Sequence, residues 1–336
     1  MLKLPSRRNA AHKILIALSA LLLSTQAMAD TAATKVRYEE VVRSVLYLPM
    51  YVALNQGYFK DVGLDVSMKT SQGTDKGMTA LLSGSADIVL IGPEASIYVA
   101  NSESPVKPKV FAGLTATDGF LLLSRKPVKN FSWDALKGHK VMSFRPGSNP
   151  DVFLEAALRK NGLNPKSDVQ LISNVSPAAR AGAWMAGQAD YAIFLEPEAS
   201  NLEKGGNGQV VASIGKEVGQ IDFTSFTATD EYLKKNPKVV QNWTNAILRA
   251  QKYVQTAAPA DLAKHISSYF PGVSEPELIA TIERYRQYNI WKKDPVVRPE
   301  AMESLQDMLV ASGLLEQNKR VKYQQFVVTN FATEAK

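Results

Sequence analysis

The 336-residue chain contains no cysteine. Without cysteine the protein forms no disulfide bonds, so a hydrophobic core alone must stabilise it. The N-terminal region also lacks a lipobox cysteine, and we therefore expect no lipid anchor there. Some 300 residues beyond that region are enough for two packed domains.

Histidine is scarce as well, with His12, His139 and His265 the three in the chain. So few histidines leave little for a transition-metal site or for a Ser-His-Asp triad. His139 precedes a predicted strand and His265 lies in a helical segment, and we interpret both as surface or packing residues. We expect neither a metal nor a cofactor.

Long apolar runs are also few, and only one lies near the N-terminus. Residues 14–23 form an unbroken run of Ile, Leu, Ala and Ser, which is too short to span a bilayer. Ala27-Met28-Ala29 follows, and four basic residues stand in front of or beside the run: Lys3, Arg7, Arg8 and Lys13. This pattern predicts a signal peptide over residues 1–29, cleaved after Ala29, and a mature protein in the periplasm.

The net charge of +7 comes partly from this leader. Removing its four basic residues from the 39 in the chain leaves 35 basic residues against 32 acidic ones, a net charge of +3. The basic residues do not cluster beside aromatic residues. The composition therefore gives no support to nucleic-acid binding.

Two stretches about a hundred residues apart nearly repeat each other, Gly84–Ser96 and Gly187–Ser200. Each contains a glycine, Ala-Asp, a short apolar strand and Pro-Glu-Ala-Ser at the start of a helix. Proline suits the first helical position, and glutamate behind it suits the helix dipole. Common capping chemistry in unrelated segments is the alternative, but the shared order of elements favours two similar α/β halves.

The rest of the chain alternates strands and helices, which is typical of a doubly wound sheet. Besides the two strands in the repeats, strands are predicted at 36–42, 65–69, 109–117, 118–123, 140–144, 168–172, 209–213 and 222–228. The strands at 118–123 and 222–228 are expected to carry the chain between the halves. We predict one lobe from residues 30–120 and 226–336, with C-terminal helices packed on it, and a second lobe from residues 121–225.

Two facing α/β halves form a cleft lined by the loops at the carboxyl ends of their strands. We predict a binding site for a small molecule in this cleft. The candidates in the first half and at the crossing are Tyr47, Ser71, Gln72, Thr74, Gly92, Glu94 and Asp118. Those in the second half are Arg145, Gly147, Ser148, Asn149 and Glu196.

The loop at 145–150 has the features of an anion site. Gly147 allows close approach of the backbone, and Ser148 or Asn149 can cap the following helix. Free N–H groups at a helix start bind anions, and Arg145 could grip a carboxylate, sulfonate or phosphate. The alternative is an ordinary capped helix with a solvent-facing arginine. The turn from Ser71 to Asp75 allows the same two interpretations.

Glu196 occupies an N-cap position, where glutamate is disfavoured. We interpret its carboxylate as a partner for a ligand amine, with a surface glutamate as the alternative. Glu94 and Glu198 are placed identically in the repeats and are interpreted as compensating helix dipoles. If Glu94 faces the cleft, two carboxylates and one arginine would favour a ligand with amine or ring N–H donors over a bare sulfonate.

The chain resembles the periplasmic substrate-binding proteins of ABC importers for nitrate, sulfonates, taurine and thiamine-precursor pyrimidines. The resemblance covers about residues 36–260, and four segments carry it: Pro49–Phe59, Gly63–Val66, Leu81–Ile88 and Leu136–Gly138. It implies a periplasmic-binding-protein fold (type II-like) with two doubly wound sheets joined by two hinge segments. It also implies two lobes that close on a small molecule and then dock on a permease in the inner membrane.

We therefore expect a non-catalytic, monomeric receptor that delivers a small organic molecule to an ABC importer. The ligand is expected to be an amine-bearing heterocycle, such as a thiamine-precursor pyrimidine, or a sulfonate or carboxylate anion. One alternative is an enzyme on the same fold, similar to a pyrimidine synthase or a periplasmic dehydratase. Another is a receptor that serves a sensor or chemotaxis protein.

Overall fold

The computed structural model describes residues 33–336, so the predicted signal peptide lies outside the described residues. Within this range the strands are β1 (Thr34–Glu40), β2 (Leu64–Thr70), β3 (Ile88–Ile91), β4 (Pro108–Thr115), β5 (Leu121–Ser124), β6 (Lys140–Met142), β7 (Gln170–Ile172), β8 (Tyr191–Phe194), β9 (Gln209–Ser213) and β10 (Thr224–Thr229). They form two five-stranded sheets.

Helices connect the strands and make up most of the C-terminal region. They are α1 (Leu48–Asn55), α2 (Tyr58–Asp61), α3 (Thr74–Leu82), α4 (Glu94–Ala100), α5 (Asn149–Lys160), α6 (Arg180–Met185), α7 (Glu198–Lys204), α8 (Ile214–Val218), α9 (Asp230–Lys235), α10 (Pro237–Thr256), α11 (Pro259–Ile266), α12 (Glu275–Gln287), α13 (Pro299–Ala311), α14 (Tyr323–Phe326) and α15 (Asn330–Thr333). Short 3-10 helices lie at Val45–Tyr47, Trp133–Leu136, Pro177–Ala179, Ser267–Tyr269 and Gln317–Lys319. No helix within residues 33–336 is both long and apolar enough to cross a membrane.

The two sheets have the same strand arrangement. The first has the order β2-β1-β3-β10-β4 and the second the order β7-β6-β8-β5-β9. In each sheet four strands point in the same direction, and one antiparallel strand, which follows a chain crossing, lies between two of them. These antiparallel strands are β5 and β10, which were predicted to carry the chain between the halves. The predicted two-lobed α/β fold with two connecting segments is confirmed.

The repeat in the sequence corresponds to the centre of each sheet, where β3 and β8 occupy equivalent positions. The aspartate before each strand has the same partners. Asp87 accepts the backbone N–H of Arg37 at 2.8 Å, and Asp190 accepts that of Lys140 at 3.0 Å. Each aspartate therefore joins two neighbouring parallel strands at their amino ends. The Ala-Asp part of the repeat therefore stabilises the sheet, and it lies at the end of the sheet opposite the cleft.

The C-terminal helices pack on the first sheet, as predicted. The apolar face of α10 buries Trp243, whose ring lies 5.4 Å from the ring of Tyr38 and 4.6 Å from that of Phe59. Two later helices also contact the second lobe. The α12 residue Arg284 bonds to Glu203 there, and Ser312, after α13, accepts a bond from Arg159 at 3.2 Å.

The two connecting segments, residues 116–120 and 219–223, are hydrogen-bonded to each other. Ala116 accepts the N–H groups of both Ile221 and Asp222, at 3.0 and 3.2 Å. Asp222 has a left-handed backbone with φ of 47°. β10 joins the first sheet from Thr224, two residues before the predicted lobe boundary at 226. Lobe boundaries at these two segments stay a prediction.

Candidate ligand-binding cleft

The carboxyl ends of the parallel strands in the two lobes face each other. Glu94 follows β3 of the first lobe, and Asn149 follows β6 of the second. Asn149 Nδ2 donates a hydrogen bond to Glu94 Oε2 at 2.8 Å across the gap between the lobes. Two of the predicted site residues, distant in sequence, therefore meet directly.

Gly92 creates the space for this contact. A Cβ atom at position 92 would lie 2.0 Å from Glu94 Oε2 and 2.3 Å from Asn149 Nδ2. The Glu94 side chain is only 5% exposed. Burial raises the pKa of this carboxyl to about 7, although the bond from Asn149 acts in the opposite direction. Our interpretation of Glu94 as a residue that only compensates the helix dipole is therefore incomplete, because its carboxylate reaches the other lobe.

Asp118 supplies a second buried carboxylate, on the first connecting segment. Its Oδ1 accepts the backbone N–H of Phe120, and its Oδ2 has no hydrogen-bond partner among the described residues. Burial raises the pKa of Asp118 to about 7. A buried acceptor without a donor is costly, and a ligand N–H group would satisfy it.

Glu196 has a structural role, contrary to the prediction from the sequence. Its Oε2 accepts the backbone N–H of Ser200 at 3.0 Å and its Oε1 accepts the Ser200 hydroxyl at 2.8 Å. The carboxylate thus caps α7 from the residue before the N-cap, which is Pro197 and not Glu196 as predicted. Arg284 Nη1 lies 3.0 Å from Oε1, as an ion pair without good hydrogen-bond alignment. The Glu196 N–H also donates to the Tyr285 hydroxyl at 3.0 Å. The prediction that Glu196 has no structural role is therefore wrong, because its carboxylate already has partners within the protein.

The loop at 145–149 is held by its own contacts. The Arg145 carbonyl accepts the hydroxyl of Ser148 at 2.7 Å, and the Arg145 side chain is exposed. Gly147 adopts a left-handed backbone with φ of 82°, and its N–H donates to Asp151 Oδ2 at 3.2 Å. This geometry agrees with the solvent-facing alternative for Arg145. Of this loop, Asn149 is the residue that contacts the first lobe through its side chain.

The remaining candidates, Tyr47, Ser71, Gln72 and Thr74, lie at the carboxyl ends of the strands of the first sheet, but not all of them reach the space beside Glu94. The Ser71 hydroxyl donates to the Glu40 carbonyl at 3.0 Å, which closes the turn after β2. Gln72 is exposed, and Thr74 begins α3. Tyr47 is buried, and burial together with the charges of Glu40 and Glu94 raises its pKa. Tyr47 thus lies close enough to Glu94 to line the same space, whereas Gln72 does not reach the interior.

Arg180, which is 2% exposed, was not among the site residues predicted from the sequence. It begins α6, which follows β7, so its guanidinium lies at the carboxyl ends of the second sheet. Nη2 donates to the Ile193 carbonyl at 2.7 Å, and Nη1 donates to that of Ser143. The rule that located the other candidates, a helix start after a strand, would have found Arg180 as well.

The two histidines within the described range contact ordinary surface groups. His139 Nδ1 lies 3.3 Å from Asp190 Oδ2 at the amino end of the second sheet, away from the cleft. His265 Nδ1 lies 3.0 Å from Asn55 Oδ1. Among residues 33–336 no group of three or more Asp, Glu or His side chains could hold a metal ion.

Comparison with known proteins places these observations in a family. Residues 46–260 match the model of the family described as "NMT1/THI5 like". The chain is 40% identical over 296 residues to "Putative binding protein YtlA" of Bacillus subtilis (strain 168), covering 88% of this chain and 87% of that protein.

Two solved structures show the same fold. The periplasmic aliphatic sulphonate binding protein SsuA from Escherichia coli has a TM-score of 0.71 at 20% identity, with 89% of this chain and 99% of that one covered. The periplasmic nitrate-binding protein NrtA from Synechocystis PCC 6803 has a TM-score of 0.72 at 16% identity, with 90% and 88% covered. The resemblance seen in the sequence is confirmed, and the chain belongs to the NMT1/THI5-like family, built on the two-lobed fold of periplasmic binding proteins.

Proposed function

We propose that this protein is a periplasmic solute-binding protein that delivers a small organic molecule to an ABC importer. The observation that carries the proposal is the Asn149–Glu94 hydrogen bond, which joins the carboxyl ends of the two lobes over a buried, polar space. Family membership and the shared fold support it. Export to the periplasm rests on the predicted leader, and docking on a permease rests on the resemblance to importer components.

The charges in the cleft favour a ligand that donates hydrogen bonds. Glu94 and Asp118 are buried carboxyl groups whose raised pKa values of about 7 reflect lost solvation. An amine or ring N–H would restore the lost hydrogen bonds, and a cationic ligand would favour the ionised carboxylates. A bare sulfonate or nitrate would meet two carboxylates. We therefore propose an amine-bearing heterocycle, such as a thiamine-precursor pyrimidine, as the ligand.

The two connecting segments act as hinges in this proposal. Chain crossings at 116–120 and 219–223 divide the protein into lobes, and positions at element ends can absorb the dihedral changes of closure. In this proposal the Asn149–Glu94 bond, which joins the two lobes, forms in the closed arrangement. Ligand binding is expected to favour this arrangement because the ligand contacts both lobes at once.

Calorimetry combined with small-angle scattering tests the proposal. We expect an aminopyrimidine precursor of thiamine to bind and to compact the protein, and taurine or nitrate to bind more weakly. Asn149→Ala should weaken binding about fivefold to tenfold, because it removes a hydrogen bond to a charged group across the cleft. Ser148→Ala is the matched control, since the Ser148 hydroxyl bonds only within its own loop. An unchanged scattering profile at saturation, or equal binding by Asn149→Ala, would contradict the proposal.

A further inference from the structure

Arg180 is a buried cation in the second lobe, held against the ends of two strands. Nη2 donates to the carbonyls of Ile193 at 2.7 Å and Met142 at 3.3 Å, and Nη1 donates to that of Ser143. The guanidinium therefore lies at the edge of the sheet that faces the first lobe. The aromatic ring of Phe144 lies 3.8 Å from the guanidinium carbon.

Phe144 connects this position to the connecting segment between the lobes. Its ring packs edge-on against Phe120, with the centroids 5.0 Å apart. Phe120 donates its backbone N–H to the buried carboxylate of Asp118. Arg180, the two rings and Asp118 thus form a continuous chain of contacts from the second lobe to the floor of the cleft.

Within the described residues, no carboxylate lies within ion-pair distance of Arg180, and its Nε–H has no acceptor. Burial lowers the pKa of Arg180 to about 10, and the nearby charge of Glu198 offsets only part of this effect. Backbone carbonyls satisfy the Nη groups but supply no negative charge. A buried cation without a counter-ion is costly, so an anionic partner is expected.

Arg125, which contacts the same sheet, is an arginine with a structural role alone. It stacks on the Trp184 ring at 4.1 Å, and Nη2 donates to the Trp184 carbonyl at 2.7 Å. Its Nε donates to the Ala189 carbonyl at 2.8 Å, so Nε and Nη2 of Arg125 both have acceptors. Arg125 is also partly exposed and lies at the amino end of β8. Arg180 differs from Arg125 in two respects: its Nε–H has no acceptor among the described residues, and it lies at the carboxyl ends of the strands.

We infer that Arg180 binds an acidic group of the ligand through its Nε–H, opposite the carboxylates of Glu94 and Asp118. The ligand is then amphoteric, with N–H donors for the first lobe and a carboxylate, sulfonate or phosphate for the second. This inference rests on the proposed function and narrows the ligand class. It also replaces Arg145, which is exposed, with Arg180 as the arginine of the site.

The test uses two pairs of probes that differ in one acidic group. The first pair is taurine and ethanolamine, and the second is the hydroxymethyl aminopyrimidine precursor of thiamine, as its phosphate monoester and as the free alcohol. Arginine Nε–H signals of the whole protein are recorded by NMR, and the signal missing in Arg180→Lys identifies Arg180. We expect the acidic member of at least one pair to shift this signal and its acid-free counterpart to leave it in place.

Calorimetry on the same probes gives the second readout. A charge-assisted bond predicts roughly tenfold to hundredfold tighter binding of the acidic member. Arg180→Lys should reduce this preference to about threefold or less, because lysine lacks the planar fork. Arg125→Lys, the matched control, should keep the preference. Saturable binding of an acidic probe with an unmoved Arg180 signal, or binding of the acid-free probes alone, would overturn the inference and leave the proposed function standing, whereas binding by none of the four probes would overturn both.

Discussion

The buried carboxylate of Glu94 allows a prediction in which stability and binding change in opposite directions. Glu94→Gln keeps the size of the side chain and an oxygen that can accept the Asn149 N–H, but it removes the negative charge. If Glu94 is retained for a ligand, the variant should be more stable than the parent at neutral pH and should bind ligand less well. If Glu94 instead stabilised the fold, Glu94→Gln would be less stable than the parent at neutral pH.

The magnitude follows from the raised pKa. Folding moves this pKa from 4.5 to about 7. At about 1.4 kcal/mol per pKa unit, the ionised form costs the folded state about 3 kcal/mol. Because the folded pKa is the higher one, the folded protein holds more protons between these values, and the parent loses stability as pH rises from 4.5 to about 7. Glu94→Gln lacks this loss, so the two proteins should differ fully above pH 7 and hardly at all below pH 4.5.

Thermal and denaturant unfolding at pH 5 and pH 8 provide the assay, on ligand-free protein. For a chain of about 300 residues, about 3 kcal/mol corresponds to a rise in Tm of roughly 5 °C at pH 8. Some pH dependence should remain, because burial also raises the pKa of Asp118 to about 7. Glu103→Gln, on an exposed loop, is the control and should match the parent. A Glu94→Gln variant that is less stable at pH 8, or that keeps the full pH dependence, would refute the reasoning.

Two further predictions concern residues with structural partners. Glu196→Ala should lower the free energy of unfolding by about 2–4 kcal/mol, because it removes a helix cap and one of the two carboxylates that pair with the partly buried Arg284. Glu198→Ala should change it by less than about 1 kcal/mol. Urea unfolding of both variants measures this difference, and equal effects would contradict the prediction. Lys292→Met should cost about 3–5 kcal/mol, because Lys292 and Asp222 form a buried ion pair beside the second connecting segment. The exposed Lys293→Met is the control, and a Lys292→Met protein as stable as this control would show that the pair does not stabilise the fold.

The sequence predicted the elements well because their ends are set by local chemistry. The predicted strand at 209–213 matches β9, and the predicted strand at 65–69 lies within β2. The helix α12 begins with a capping box in which Ser274 and Glu277 bond to each other's backbone N–H groups, a signal readable from neighbouring residues. The short helix α8 was missed, since its five residues are too few to reveal a period.

The site was predicted only in part, because local patterns do not determine where a side chain points. Glu94 and Glu198 stand at the same place in the repeats, yet Glu94 contacts Asn149 in the other lobe. Glu196 was predicted to bind a ligand amine, but its carboxylate bonds to Ser200 and pairs with Arg284, which lies on a helix more than eighty residues further along the chain.

The sequence by itself therefore determined the repeated α/β halves, the two crossings and the edge of each sheet at which the candidate site residues lie. These features depend on capping residues, glycines and apolar runs that act over a few neighbours. The tertiary structure alone decided that Glu94 and Asp118 are buried without a counter-ion, that Arg180 is buried whereas Arg145 is exposed, and that Glu196 is a cap. Desolvation and pairing depend on groups brought together from distant parts of the chain, and no local pattern records them.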